Sequence, residues 1–165
     1  MVGYPGSGKT TVSRIICDLT GAEHIWADFE RKTMFGTPTH SPAESKQLYM
    51  CLNAEAETRL AAGKSVIYDT NFNFYDDREL MRAVAARHNA DTKLVWVQTP
   101  RDIAFARASI DVHKHDTRVL GDIPKKQFDR MAHNLQPPRP NEQPVILDGT
   151  KITPGYVAGA LRIGQ

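Results

Sequence analysis

Short apolar runs alternate with amphipathic stretches along the whole chain. The runs "HIWAD" (24–28), "SVIYD" (65–69), "KLVWVQ" (93–98) and "PVILDG" (144–149) have the length and apolar content of buried strands. Between them, apolar residues recur at helical spacing. Val12, Ile15, Ile16 and Leu19 define one face of a helix over 9–20, and Gly21 is placed to close it. A second helix starts at Ser41, with Pro42 at its first position and Glu44 completing a capping box, and Gly63 ends it. A third runs from a cap at Asn73 to about 88, with Asp76 and Asp77 in its first turn. "TPRD" (99–102) caps a fourth, Pro124 opens a fifth to about 135, and Thr153-Pro154 starts the last.

Strands alternating with helices predict a parallel sheet covered on both faces, in one α/β domain over residues 1–165. In such sheets ligands gather at the carboxyl ends of the strands, so polar residues just after each strand are the candidates for chemistry.

The strongest of these lies at the start. "GYPGSGKTT" (3–11) fits G-x-x-x-x-G-K-[ST] through Gly3, Gly8, Lys9 and Thr10. Such a loop turns backbone N–H groups onto phosphate oxygens, with Pro5, Gly6, Ser7 and Thr11 completing the cradle. Lys9 reaches the β- and γ-phosphates of a nucleoside triphosphate, and the Thr10 hydroxyl coordinates Mg²⁺. Only Met1 and Val2 precede Gly3, whereas strands commonly run to about five or six residues; a native segment is expected ahead of Met1.

Asp28 closes the second strand in chain order, followed by Arg31 one helical turn on. A carboxylate there either takes a proton from an attacking hydroxyl or caps the following helix. Arg31 either steadies Asp28, holds a phosphate on the acceptor, or is merely solvated. Asp69 ends "VIYDTN", an apolar run followed by a carboxylate that suits Mg²⁺ binding. The residues after it are Thr70 and Asn71, not the Glu with which a hydrolytic motor polarises water, and no Asn-Lys-x-Asp of a switch GTPase follows a later strand. Residues 111–122 are polar and aperiodic, and carry Lys114 and Arg118. With Arg107 before them, they read as a lid that brings positive charge to a migrating phosphoryl group. The same lid contains "HKHD" (113–116), read as surface loop rather than metal site.

Composition changes this picture little. The 165 residues are 41% hydrophobic and 24% charged, with net charge +2, too small to argue for nucleic acid by itself. Cys17 and Cys51 fall in helical stretches and read as small core residues, as Trp26 and Trp96 do in strands. Phe72, Phe74 and Tyr75 read as core, with stacking on a base as the alternative. No apolar run reaches the roughly 20 residues of a membrane span and no signal peptide is visible, so the expectation is a cytoplasmic protein.

Taken together, "GYPGSGKTT", "DFER", "YDTN" and "FARAS…TR" resemble the P-loop kinases of the polynucleotide 5′-kinase type (a superfamily that also holds zeta-toxin-like kinases). The resemblance implies a three-layer fold with a five-stranded parallel sheet in the order 2-3-1-4-5, plus a lid. It implies Asp28 as general base, Arg31 as clamp for an acceptor phosphate and Asp69 as acceptor-side or metal-side organiser. Arg118 becomes the lid arginine on the transferring group, with Lys114 or Arg107 as alternatives. Apart from the resemblance, Arg107 and "PPRP" (137–140) are candidates for a pocket that selects the base. The implied reaction is transfer from ATP·Mg²⁺ to a hydroxyl, with a nucleic-acid 5′-OH as leading acceptor because Arg31 suits a phosphorylated one. Two other readings stand beside it: a kinase for a metabolite, sugar or antibiotic, and a nucleotide-binding regulatory module without catalysis.

Overall fold

The computed structural model describes residues 1–109, 120 and 122–164. The lid candidate with Lys114, Arg118 and the "HKHD" histidines lies almost wholly outside those residues. In chain order the elements are α1 (Lys9–Thr20), β1 (Glu23–Trp26), α2 (Ala27–Phe35), α3 (Pro42–Ala61), β2 (Val66–Asp69), α4 (Tyr75–Arg87), β3 (Val95–Gln98), α5 (Arg101–Ala108), α6 (Lys125–His133), β4 (Val145–Asp148) and α7 (Pro154–Leu161). The alternation read from the sequence is therefore present.

All strand pairing is parallel, but it falls into two ladders. β1 pairs with β2, bringing Trp26 level with Asp69, and β3 pairs with β4, bringing Gln98 level with Asp148. Residues 1–2 lie between them. Val2 forms a single parallel bridge to Trp96, exchanging hydrogen bonds with Val95 and Val97 at 2.8 and 2.9 Å, while the Met1 amino group donates to the Tyr68 carbonyl at 3.2 Å. A continuous five-stranded ladder is thus not formed among the described residues. The two residues ahead of Gly3 supply a bridge and no more.

Three apolar clusters hold this frame. Val12, Ile16, Val97, Leu147 and Val157 form one, beneath the phosphate loop; Ile25, Leu48 and Leu52 form the second, under α3; Ala104, Ala108 and Phe128 join α5 to α6. Leu19 lies outside the first cluster, exposed in the last turn of α1. On α3 the buried stripe is Glu44, Leu48, Leu52 and Ala56, a strict i, i+4 series that leaves Cys51 exposed. Cys17 is half-buried, so neither thiol is a core residue.

The helix starts also depart from expectation in instructive ways. Ser41 does cap α3, accepting from the Glu44 amide at 3.2 Å, yet the Glu44 carboxylate turns away to Thr39 and Arg31 instead of closing the box. Asn73 does not cap α4. That helix starts one residue later, and the Gln136 side chain accepts from the Tyr75 amide at 2.8 Å in its place. Thr99 does not cap α5 either, since its hydroxyl donates to the Ser7 carbonyl of the phosphate loop at 2.9 Å. Thr153 caps α7 as read, accepting from the Tyr156 amide at 3.2 Å.

A buried ion pair ties α4 to the 3-10 turn Pro140–Glu142. Arg78 meets Glu142 through two nitrogens at 2.6 and 2.9 Å, with side chains 1% and 0% exposed. Arg78 also donates to the Phe72 and Gln136 carbonyls, and Glu142 accepts from the Arg139 amide, so both charges are fully solvated by protein. Burial pushes the Glu142 carboxyl up, but Arg78 and the Arg139 amide outweigh it and hold the group below its ordinary range. Removing one partner strands the other charge in the interior. Glu142→Ala is expected to cost about 3–5 kcal/mol in urea unfolding, more than the Arg78→Met/Glu142→Met double variant, and a loss under 1 kcal/mol would contradict it.

Candidate active site

The phosphate loop is held in shape from below. Gly6 sits at φ 76°, and a Cβ there would lie 2.2 Å from the Ala104 carbonyl of α5. Gly149, just after β4, is packed closer still: a Cβ would meet the Thr99 hydroxyl at 2.0 Å and the Ser7 carbonyl at 2.4 Å. The ends of β3 and β4 therefore press directly on the loop backbone, and only glycine fits both contacts. Gly8 precedes α1 at φ 104° with no side chain capping the helix and no acidic residue in its first turn. The positive end of α1 is left for an anion.

In front of the loop opens a cleft of about 770 Å³. Its loop side carries Pro5, Gly6, Gly8, Lys9, Thr10 and Thr11; its far wall carries Asp28, Arg31 and Asp69. Gly3 and Ser7 lie buried under the loop rather than in the cleft wall, and the Ser7 hydroxyl is a buried group without a partner. Arg107 lines the cleft beside Thr150 and Ile152, and donates to the Gly149 carbonyl at 2.8 Å. "PPRP" does not join it: Pro137 borders a separate cavity of about 680 Å³, and Arg139 stacks on Tyr75 at 3.6 Å.

Lys9 folds back on the loop, donating to the Gly3 and Tyr4 carbonyls, both at 2.9 Å. Its dehydration at the cleft floor lowers the ammonium pKa to about 8, against the opposing pull of Asp69 and then Asp28. Asp28 is not at a strand end as the sequence suggests. β1 stops at Trp26, and Asp28 occupies the first turn of α2 without capping it, its side chain accessible in the cleft. The cleft walls still thin its hydration enough to raise its pKa. Asp69 adds to that, while Lys9, Arg31 and His40 pull it down. Lys9, Asp28 and Asp69 thus share one electrostatic neighbourhood.

Asp69 does end its strand, 3% exposed, and His24 of β1 holds its Oδ2 through Nε2 at 3.2 Å. Arg31 is buried and engaged: Nη1 donates to Glu44 Oε1 at 2.7 Å, and both terminal nitrogens lie 3.4 Å from the Ser45 hydroxyl. Among the described residues no group of three or more His, Cys, Asp and Glu side chains forms a metal cluster. The donors facing the loop are nonetheless hard oxygens: the Thr10 hydroxyl and the carboxylates of Asp69 and Asp28. Such a sparse set suits Mg²⁺, which keeps waters and phosphate oxygens for its remaining positions.

Several lining residues escaped the sequence reading. Trp26, read as core, faces the cleft, stacked between His24 at 6.0 Å and Phe29 at 5.7 Å, with Arg14 over its ring. Tyr49 reaches it from α3, its hydroxyl 3.0 Å from Thr70. Phe72, Phe74 and Tyr75 do not line it: Phe72 is buried against Tyr68 as its core reading expects, whereas Phe74, also read as core, is exposed, and Tyr75 lies under Arg139. Burial of Tyr49 depends on how α3 crosses β2, which no local motif encodes. Trp26 carried a signal, its position two residues before Asp28.

Loop, cleft and parallel strands define an α/β P-loop NTPase-like kinase fold. The chain belongs to the AAA domain family (AAA_33), whose model matches residues 1–138. No curated protein matches it. Similar solved structures include a sugar kinase from Janibacter sp. HTCC2649 (21% identity, covering 99% of this chain and 92% of that one, TM-score 0.69). A gluconokinase from Sinorhizobium meliloti 1021 (20%, 98% and 87%, 0.67) is another. The Mycobacterium tuberculosis APS kinase in complex with AMPPNP and APS (18%, 98% and 92%, 0.61) is a third. At these identities the likeness speaks for the fold.

The lowered Lys9 pKa gives a signed expectation. Between pH about 8 and the ordinary lysine value the unfolded chain binds more protons at this residue than the folded one. Its contribution to stability without ligand therefore rises with pH across that window. Triphosphate binding requires the charged form, so affinity must fall above pH 8. Titration calorimetry with a non-hydrolysable ATP analogue should show Kd rising by up to about tenfold per pH unit there. Lys9→Met should bind weakly with no such slope; a flat wild-type profile from pH 7 to 9 would count against the Lys9 assignment.

Proposed function

We propose that this protein is a phosphotransferase that moves the γ-phosphoryl group of ATP onto a hydroxyl of a small molecule. The observation that carries the reading is the convergence of Lys9, Asp28 and Asp69 on one cleft, where Asp69 acts on the proton affinities of both Lys9 and Asp28. In the reaction, the acceptor oxygen bonds to Pγ as the bond from Pγ to the β,γ-bridging oxygen breaks and ADP departs. The hydroxyl proton passes to the Asp28 carboxylate, whose raised affinity for protons suits that task. Lys9 leaves its two loop carbonyls for the β- and γ-phosphate oxygens, and the loop amides with the open end of α1 hold the rest. Thr10 and Asp69 would hold Mg²⁺, which would supply neutralisation of the phosphate charge. His24 fixes the orientation of Asp69. Arg107 borders the nucleotide beside Gly149, and Arg118 remains the lid candidate for the transferring group.

The small-molecule acceptor displaces the nucleic-acid 5′-OH as leading reading for two reasons. The neighbours named a sugar kinase, a gluconokinase and an APS kinase are named for small substrates. The polynucleotide reading, in turn, leaned on Arg31 as a clamp for an acceptor phosphate, and that guanidinium is already paired with Glu44. A five-stranded sheet in the order 2-3-1-4-5 is supported by the bridge of Val2 to β3 and the bond from Met1 to β2, which put the loop-bearing residues between the two ladders. Against a purely regulatory module stands the second carboxylate at the cleft, for which simple nucleotide binding has no use.

Incubation with ATP, Mg²⁺ and a panel of hydroxyl compounds, following ADP release, tests the reading. A true acceptor must raise turnover above the water background. Asp28→Asn should lower kcat by about 10²–10⁴ while leaving ATP affinity within a few-fold. Full activity in that variant removes Asp28 as the base.

A further inference from the structure

The wall opposite the phosphate loop is assembled from three pieces of chain. α2 brings Asp28 and Arg31, α3 brings Ser45 and Tyr49, and the end of β2 brings Asp69 and Thr70. The two carboxylates therefore stand on elements distant in sequence, and α3 is the piece that bonds to both.

On the α2 side, Arg31 lies one helical turn from Asp28 and crosses to α3, donating to Glu44 at 2.7 Å with the Ser45 hydroxyl 3.4 Å away. Tyr49 follows Ser45 by one turn of α3. Its ring packs against the cluster of Ile25, Leu48 and Leu52, and its hydroxyl reaches the cleft, 3.0 Å from that of Thr70. Thr70 is 5% exposed and directly follows Asp69. Burial pushes the Tyr49 phenol above its ordinary range, against the bond to Thr70 and the pull of Arg31, and Asp28 adds to the rise. The phenol thus stays a neutral hydroxyl within electrostatic reach of Asp28.

A second bond joins the same two elements away from the site. Tyr68 of β2 donates to Asn53 of α3 at 2.7 Å, one helical turn beyond Tyr49, and neither is among the described residues that line the cleft. The packing of α3 on β2 is therefore already secured by that bond and the apolar cluster. What the Tyr49–Thr70 bond adds is a tie at the cleft itself.

We infer that Tyr49 is a positioning residue: it ties the wall that carries Asp28 to the strand end that carries Asp69, and so fixes the gap between the two carboxylates. This deepens the phosphotransferase reading and rests on it. An acceptor hydroxyl has to lie between Asp28 and the γ-phosphorus with its oxygen in line, and a displacement of about 1 Å can cost about 10²-fold in rate. Apolar contacts are non-directional and do not by themselves fix the walls to that precision, whereas a hydrogen-bonded hydroxyl pair weakens steeply as it is misaligned. The tie runs from Asp28 through Arg31, Ser45, Tyr49 and Thr70 to Asp69.

The test takes the hydroxyl compound with the highest turnover, at fixed ATP and Mg²⁺, and compares Tyr49→Phe, Thr70→Val and Tyr68→Phe. The first two each remove one hydroxyl of the bond at the cleft; the third removes the comparable bond behind it. Tyr49→Phe and Thr70→Val should each lower kcat by about tenfold or more. The KM for the acceptor and the Kd of a non-hydrolysable ATP analogue should stay within about threefold. The double variant should be no slower than the slower single, because both break one bond. Tyr68→Phe should keep kcat within about threefold, even where its melting temperature falls as far as that of Tyr49→Phe. An equal loss of kcat in Tyr68→Phe makes the effect one of stability and overturns the inference. So does a wild-type kcat in Tyr49→Phe, or a raised acceptor KM with kcat unchanged, which makes the pair a contact with the acceptor. Tyr49→Phe against Tyr68→Phe decides the outcome even where Thr70→Val does not fold. Each of these failures leaves the phosphotransferase reading intact. If the ATP analogue binds but no hydroxyl compound is phosphorylated, that reading fails and this inference falls with it.

Discussion

The seat of the phosphate loop on the ends of β3 and β4 is the contact from which the rest of the site takes its position. Ser7 receives the Thr99 hydroxyl on its carbonyl, and Gly149 lies against that same carbonyl with no space for a side chain. A loop whose amides must converge on phosphate cannot also be mobile, because each misplaced amide forfeits a charge-assisted bond. The strand ends therefore act as an anvil. Arg107 fastens the same point by holding the Gly149 carbonyl, so one backbone locus joins the loop, both strand ends and α5.

Opposite that anvil the site is set by charge. Two carboxylates and one ammonium occupy a poorly hydrated space, and their mutual influence reconciles opposite needs: Lys9 gives up its proton more readily than a free lysine, Asp28 less readily than a free aspartate. Both shifts start from dehydration and are modified by neighbours. Asp69 anchors the set because it is buried, ends its strand and is gripped by His24. Arg31 also pulls on Asp28 from the same wall, while its guanidinium is paired with Glu44.

The chain announces the loop, the alternation of strands and helices, and the carboxylates Asp28 and Asp69, since each is a local pattern: glycine spacing, apolar period, or an acidic residue following an apolar run. What was illegible depends on partners distant in sequence. Thr99 reads as a helix cap until Ser7 is found beside it, Asn73 until Gln136 takes the role from 63 residues away, and Glu44 as half of a capping box until Arg31 claims its carboxylate. For Thr99 and Glu44 the short-range signal was outbid by a buried group distant in sequence, whereas Asn73 lost the cap to the exposed Gln136 side chain. Trp26 fell to a similar competition: an apolar residue in a strand reads as core, but the wall of a cleft is also lined by what the strand presents.

The division of the pairing into two ladders has a further meaning. Asp28 follows β1 and Asp69 ends β2, whereas the Thr99 that braces the loop follows β3 and Gly149 follows β4. The phosphate loop is thus braced on one ladder and faced by carboxylates carried on the other, the two joined through α1 and residues 1–2. Substitutions can accumulate on the β1–β2 ladder while the β3–β4 ladder keeps the loop's geometry, so the wall opposite the loop is free to be remodelled without disturbing the loop itself.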